Sequence, residues 1–234
     1  MQDKLQDLLK LKCHPISITF TNNPPTDIAR IDERAPSGCT YWKLAADGKV
    51  FYTEASDHFG CPIGAFTHNV ELPPEQSKEL TGMIETMVGL SYLKMEEIAA
   101  IPRREDCFRF AVYAPLDGTP VEPDVVLIRG NAKQIMLVAE AANAAVASNA
   151  NGVIGRPTCA MIPAVMKSGQ TAMSLGCIGN RVYSELPDDE LYLAIPGTQV
   201  VGLVEKIVSI VNANHELQSF HQKRINLNPE EPAQ

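Results

Sequence analysis

Residues 39–61 read CTYWKLAADGKVFYTEASDHFGC, and residues 159–177 read CAMIPAVMKSGQTAMSLGC. Each stretch opens on a cysteine and runs through an apolar segment to a glycine turn at Gly48 or Gly169. A short strand-like run follows, Val50–Thr53 or Thr171–Ser174, and a second cysteine closes it. The intervals are similar, with 21 intervening residues in the first and 17 in the second. Repetition of so unusual an order predicts two related halves with two cysteines each. Four thiolates are the ligand number of many iron–sulfur and zinc sites.

Outward from these units the halves continue to align. Strand Ile16–Phe20 matches Val125–Arg129, and strand Phe108–Tyr113 matches Leu191–Ile195. Ala114-Pro115 closes one of the latter pair and Ile195-Pro196 the other, and the turn-like run Asp117-Gly118-Thr119-Pro120 separates the halves. The pattern predicts an α/β fold in which strands and helices interleave. One globular unit is expected, made of residues 1–117 and 118–222, with a disordered tail over 223–234. Leu5, Leu8 and Leu9 mark a first helix over 2–11. Pro73-Pro74-Glu75 opens another, with Leu80, Met83, Ile84, Met87 and Val88 as its buried stripe. Asn131 caps an alanine-rich helix expected to reach Ser148. A last helix starts near Thr198, and Val200, Leu203, Val204, Ile207 and Val211 form its apolar face. That face packs internally or against a second subunit of a homo-oligomer.

The net charge of −8 over 234 residues, with no lysine- or arginine-rich run, argues against nucleic acid as a partner. The start, Met1-Gln2-Asp3-Lys4-Leu5, lacks the apolar core of a signal peptide. The longest weakly polar stretch, residues 135–150, contains Glu140 and several Asn or Ser residues, so no membrane span is expected. The expected location is cytoplasmic. Thiols stay reduced there, and paired cysteines are metal-binding or redox-active rather than disulfide-bonded.

All four cysteines fall at or just before expected helix starts. Ser37-Gly38-Cys39 precedes a helix over 40–46, and Cys61 is followed by Pro62. Arg156-Pro157-Thr158 leads Cys159 into a helix over 160–166, and Gly176-Cys177 leads into Ile178. Helix N-termini carry partial positive charge and free N–H groups, which lower a thiol pKa and stabilise anions. Gly176 and Gly179 allow the backbone close to a ligand. Arg181 either seats an anion or pairs with Asp188 or Glu190, and Lys43 is equally ambiguous. His58, three residues before Cys61, is an alternative metal ligand or proton carrier, set against a solvent-exposed loop histidine. Cys13 and Cys107 lie outside the repeat and are assigned to packing. None of the four paired cysteines lies in a C-x-x-C, so inert core thiols or a bare thiol-redox pair stay open. No G-x-G-x-x-G, P-loop, G-x-S-x-G or H-E-x-x-H occurs.

Several segments resemble family 169 of the domains of unknown function, a group of archaea and anaerobic bacteria. They are Cys39 with Lys43, Ala45 and Gly48; Tyr52; Asp57-His58 with Cys61-Pro62 and Gly64-Ala65; Ile101-Pro102-Arg103; and Tyr113-Ala114-Pro115-Leu116. They continue with Asp124-Val125-Val126, Cys159-Ala160, Ser174-Leu175-Gly176-Cys177 with Gly179 and Arg181, and Asp189-Glu190 with Ile195-Pro196-Gly197. The resemblance implies that the four cysteines belong to the family pattern. This chain has Ile63 where the family often has another glycine.

The leading expectation is a [4Fe–4S] cluster on Cys39, Cys61, Cys159 and Cys177, with a redox or electron-transfer role and a redox partner protein. Zinc competes, because four thiolates also suit a tetrahedral ion. A second expectation is a sensory protein for haem or a small anionic ligand, with Gly176, Gly179 and Arg181 as the anion seat. A third is a thiol enzyme with Cys177 as nucleophile.

Overall fold

Residues 125–128 (VVLI) and 191–195 (LYLAI) are apolar or aromatic at every position, which demands cover on both faces of the sheet they join. The computed structural model describes residues 3–23, 25–32, 34–142 and 155–225, and it supplies that cover. The elements are α1 (Asp3–Leu9), β1 (Ile16–Thr21), α2 (Gly38–Ala46), β2 (Phe51–Glu54), α3 (Pro62–His68), α4 (Pro74–Gly89), α5 (Met95–Ile98) and β3 (Phe110–Pro115). They continue as β4 (Val125–Asn131), α6 (Ala132–Ala141), α7 (Met161–Ser168), β5 (Ala172–Ser174), α8 (Ile178–Tyr183), β6 (Glu190–Pro196) and α9 (Leu203–Ile225). The fold is α/β, built on one six-stranded antiparallel sheet.

The strand order is β2-β3-β1-β4-β6-β5. From the centre outward, one side reads first, third and second strand of residues 1–117. The other side reads first, third and second strand of the rest. β1 and β4 meet in the middle, with Ile16 opposite Leu127 and Ile18 opposite Val125. Gly48 and Gly169, at corresponding turns, both take positive φ. The strand order and the turns therefore share a pseudo-twofold relation about the β1–β4 seam.

Strand alternation sorts the core into two layers. Ile16, Ile18, Tyr113, Val125, Leu127, Tyr192 and Ala194 face a cluster that includes Trp42, Ala65, Met161 and Ile162 from α2, α3 and α7. Val126, Ile128, Leu193 and Ile195 face the opposite way, toward α1, α6 and α9. Asn131 caps α6 as expected, accepting from the Gln134 N–H. The expected continuation of α6 to Ser148 lies outside the described residues.

Three expectations are corrected. The stripe Leu80, Met83, Ile84, Met87 and Val88 is not buried, because α4 sits outside the sheet layers and packs mainly on α3. Residues 223–225 are the last turn of α9, not the start of a tail; residues 226–234 lie outside the described residues. Cys107 is exposed rather than packed, since the chain enters the core only at Phe108.

Candidate four-thiol site

All four paired cysteines lie at helix starts on one face of the sheet. Cys39 is in the first turn of α2, Cys61 is the N-cap of α3, and Cys177 is the N-cap of α8. Cys159 lies in a 3₁₀ turn, Thr158–Ala160, that runs into α7. Cys39 and Cys159 are buried, while Cys61 and Cys177 are partly exposed, and all six cysteines are free thiols. The four lie near one another across the seam. The Cys159 thiol feels Cys39, Cys61 and Cys177, and the Cys39 thiol feels Cys61 and Cys177.

Within each half a hydroxyl ties the two cysteines to each other. The Ser37 hydroxyl accepts the Cys39 N–H and lies 3.5 Å from Cys61 Sγ. The Thr158 hydroxyl, next to Cys159, accepts the Cys177 N–H at 2.6 Å. Between the halves the contacts cross over. Thr67 on α3 donates to Cys159 Sγ at 3.2 Å. Asn180 on α8 lies beside the Cys39 thiol. Gly64 makes room for a sulfur, because a Cβ there would stand 2.8 Å from Cys61 Sγ.

Burial decides the charge state of the inner thiols. It pushes Cys39 up to about 12, and the neighbouring thiols Cys61 and Cys177 add to it; the Asn180 amide and Ser37 oppose it. Cys159 is raised well above the usual thiol range, again chiefly by burial, then by Cys39 and Cys61, with Thr67 opposing. The expected lowering by helix N-termini is thus overridden at these two positions, since removing a thiolate from water costs more than the helix end returns. Both are neutral thiols at neutral pH unless a cation draws off their protons. Among the described residues no group of three or more His, Cys, Asp or Glu side chains is gathered closely enough to hold a single metal ion.

His58 is buried rather than exposed. Its Nε2 is 2.9 Å from Thr53 Oγ1, and Tyr41, Phe108 and Tyr113 surround the ring. Burial drives its pKa down to about 4, with Asp57 opposing. Arg30 holds Asp57 through two hydrogen bonds, and the Asp57 carbonyl accepts from Tyr41, which fixes the turn that carries His58. His68 places Nδ1 2.8 Å from the Gly64 carbonyl. A carbonyl only accepts, so Nδ1 carries the proton. Nε2 of His68 is buried and has no hydrogen-bond partner among the described residues.

The Arg181 guanidinium donates to the carbonyls of Leu175 and Pro187 and lies 3.7 Å from Asp188, so it ties together the segments on either side of α8. Glu190 instead pairs with Arg129 at 2.8 Å and Lys12 at 3.0 Å. Lys43 reaches Glu185 at 3.3 Å, tying α2 to the end of α8. Gly176 needs its glycine: φ is +83°, and a Cβ would meet Leu186 at 2.6 Å. Gly179 has only the Tyr183 ring near its Cβ position, at 3.8 Å, so close approach does not require glycine there. Ser37, Gly64, Thr67 and Asn180 were not singled out as site residues from the sequence; their proximity to the repeated cysteines was the available signal. Surface grooves on α6 and α9 lie on the other side of the sheet from the thiols.

A helix-clad antiparallel sheet with four cysteines at four helix starts defines the class of protein. The chain belongs to domain-of-unknown-function family 169, described as "Uncharacterised ArCR, COG2043", whose profile matches residues 4–206. It is 30% identical over 219 residues to "Uncharacterized protein MJ0308" of Methanocaldococcus jannaschii, covering 87% of this chain and 91% of that protein. No solved structure matches the chain. No helix among the described residues is long and apolar enough to cross a membrane.

Proposed function

We propose that the protein binds one [4Fe–4S] cluster through Cys39, Cys61, Cys159 and Cys177 and serves in one-electron transfer. What supports this reading is the placement of four free thiols at four helix starts on one face of the sheet, two from each side of the β1–β4 seam. Zinc is the competing occupant, because four thiolates also suit a tetrahedral ion. When bound, such a cluster supplies one electron at a time.

The chain's own groups prepare the site for it. Cys39 and Cys159 give up protons on metal binding, and their burial keeps the centre away from water. Ser37 and Thr67 stand where a thiolate sulfur accepts hydrogen bonds. Cys61 and Cys177 mark the exposed edge. Ile178, next to Cys177, and Val182, one turn further along α8, are both more than 60% exposed and offer apolar surface to a redox partner protein.

The test is purification under strict anaerobiosis, followed by absorbance and by iron, acid-labile sulfide and zinc determination. About four iron and four sulfide per chain with broad visible absorbance are expected. One zinc per chain without colour, or no metal under reconstituting conditions, would sink the reading.

A further inference from the structure

α9 runs for 23 residues, but α6, its main neighbour, runs for only 10. The buried residues of α9, Leu203 and Ile207, lie in its first two turns and pack internally. Asn214, which donates to the Glu140 carboxylate at 2.9 Å, is the last α9 side chain to hydrogen-bond another element among the described residues. Residues 215–225 are exposed throughout. Helices are held mainly by packing of an apolar face, and a stretch shorter than about 12 residues is marginal in water without it. Three uncovered turns therefore call for a partner.

This stretch carries an apolar stripe of its own. Ile210, Ala213, Leu217, Phe220 and Arg224 recur at alternating spacings of three and four, the seam spacing of a two-helix coiled coil. Leu217 and Phe220 are each more than half exposed. The stripe toward α6, through Val211, Asn214 and Gln218, runs beside it. Glu216 and Lys223, seven residues apart, flank the seam on one side, and neither pairs with another charge among the described residues.

We infer that α9 pairs with the α9 of a second copy of this chain, antiparallel, about a twofold axis between Leu217 and Phe220. In that register Leu217 packs on the partner's Phe220, and the symmetry repeats the contact. Ala213 leaves room for the stem of the partner's Arg224. Charge selects this arrangement. The antiparallel register sets Glu216 of each copy beside the partner's Lys223, two opposite-charge pairs in all. A parallel pair in register would instead bring two Arg224 guanidinium groups together in the seam. Antiparallel helix dipoles also oppose favourably. α9 covers the sheet face opposite the thiols, so the pairing leaves both thiol faces open and does not depend on what they hold.

The experiment is sedimentation equilibrium of the full chain from low to high micromolar concentration. Wild type is expected at twice the monomer mass, and Phe220→Glu, which puts a charge into both central layers, at the monomer mass. Glu216→Lys alone or Lys223→Glu alone turns two attractive pairs into two repulsive ones. Each is expected to raise the dissociation constant about tenfold, and the two together to restore it. Near-UV circular dichroism checks that the core is intact, since all these side chains are exposed. If Phe220→Glu disturbs that signal, Leu217→Ser takes its place. A monomeric wild type overturns the inference. So does a dimer that Phe220→Glu leaves unchanged, because another surface then makes it. A double charge exchange that fails to restore the dimer overturns the antiparallel register and the inference with it.

Discussion

At Gly64 a single missing methyl group links local helix chemistry to the site. An alanine there would improve helix propensity by about 1 kcal/mol, yet its Cβ would press on Cys61 Sγ. Gly64→Ala is therefore expected to keep the fold, measured as thermal midpoint, and to lower iron per chain after reconstitution. His58 and His68 make a different prediction. Their folded pKa values are about 4 and about 3, both below the ordinary 6.5, because burial penalises the charged ring. The unfolded chain binds these protons first as pH falls. Stability is therefore complete above about 6.5 and is lost on descent toward 4 and then 3. Removing both titrations with His58→Gln and His68→Asn, each of which keeps a hydrogen-bonding amide, should flatten this limb. Denaturant unfolding at pH values from about 4 to 7 checks it; an unchanged slope would show that other groups dominate.

Elements differ in how tightly the sheet dictates them. Gly197 follows β6 in the 3₁₀ turn Gly197–Gln199, and its N–H donates to the Asp124 carbonyl at 2.9 Å. A Cβ at this position would overlap the Pro123 carbonyl, which is backbone and cannot swing aside. Gly197→Ala should destabilise by about 2–4 kcal/mol, read from chemical denaturation, with β6 forced away from the chain entering β4. α4 shows the opposite case. Its apolar periodicity reads as a core helix, but the sheet faces are already covered by α2, α3 and α7 on one side and α1, α6 and α9 on the other. Periodicity reports that a helix has an apolar face, not whether a core remains for it to join.

For the whole molecule, the proposed cluster site is assembled from two incomplete halves related by the pseudo-twofold strand order. Each side of the β1–β4 seam supplies only two of the four thiols. Removing one thiol should then abolish binding by all four, not by half. Cys61→Ala and Cys159→Ala are expected to lose the iron complement equally, while Cys13→Ala and Cys107→Ala keep it. Retention of half the iron in either of the first two variants would mean two independent sites. Size-exclusion chromatography of each variant separates this result from misfolding.

The sequence alone determined the α/β class, the positions of the strands and the placement of the four cysteines at helix starts. Those features are local: alternation, turn glycines and caps act over a few residues, so their signals survive in a linear string. The residues that matched the family lay in those same segments. Tertiary structure alone decided what depends on distant neighbours. It buried His58 between Tyr41 and Phe108, committed Arg181 to carbonyls and left the α4 stripe half-covered. It also set Thr67 and Asn180 across the seam on opposite cysteines. Thr67 and Cys159 are 92 positions apart in the chain, and only the docking of β1 on β4 brings such residues together. The raised thiol pKa values follow from the same docking, because desolvation belongs to the packed molecule and to no single segment of it.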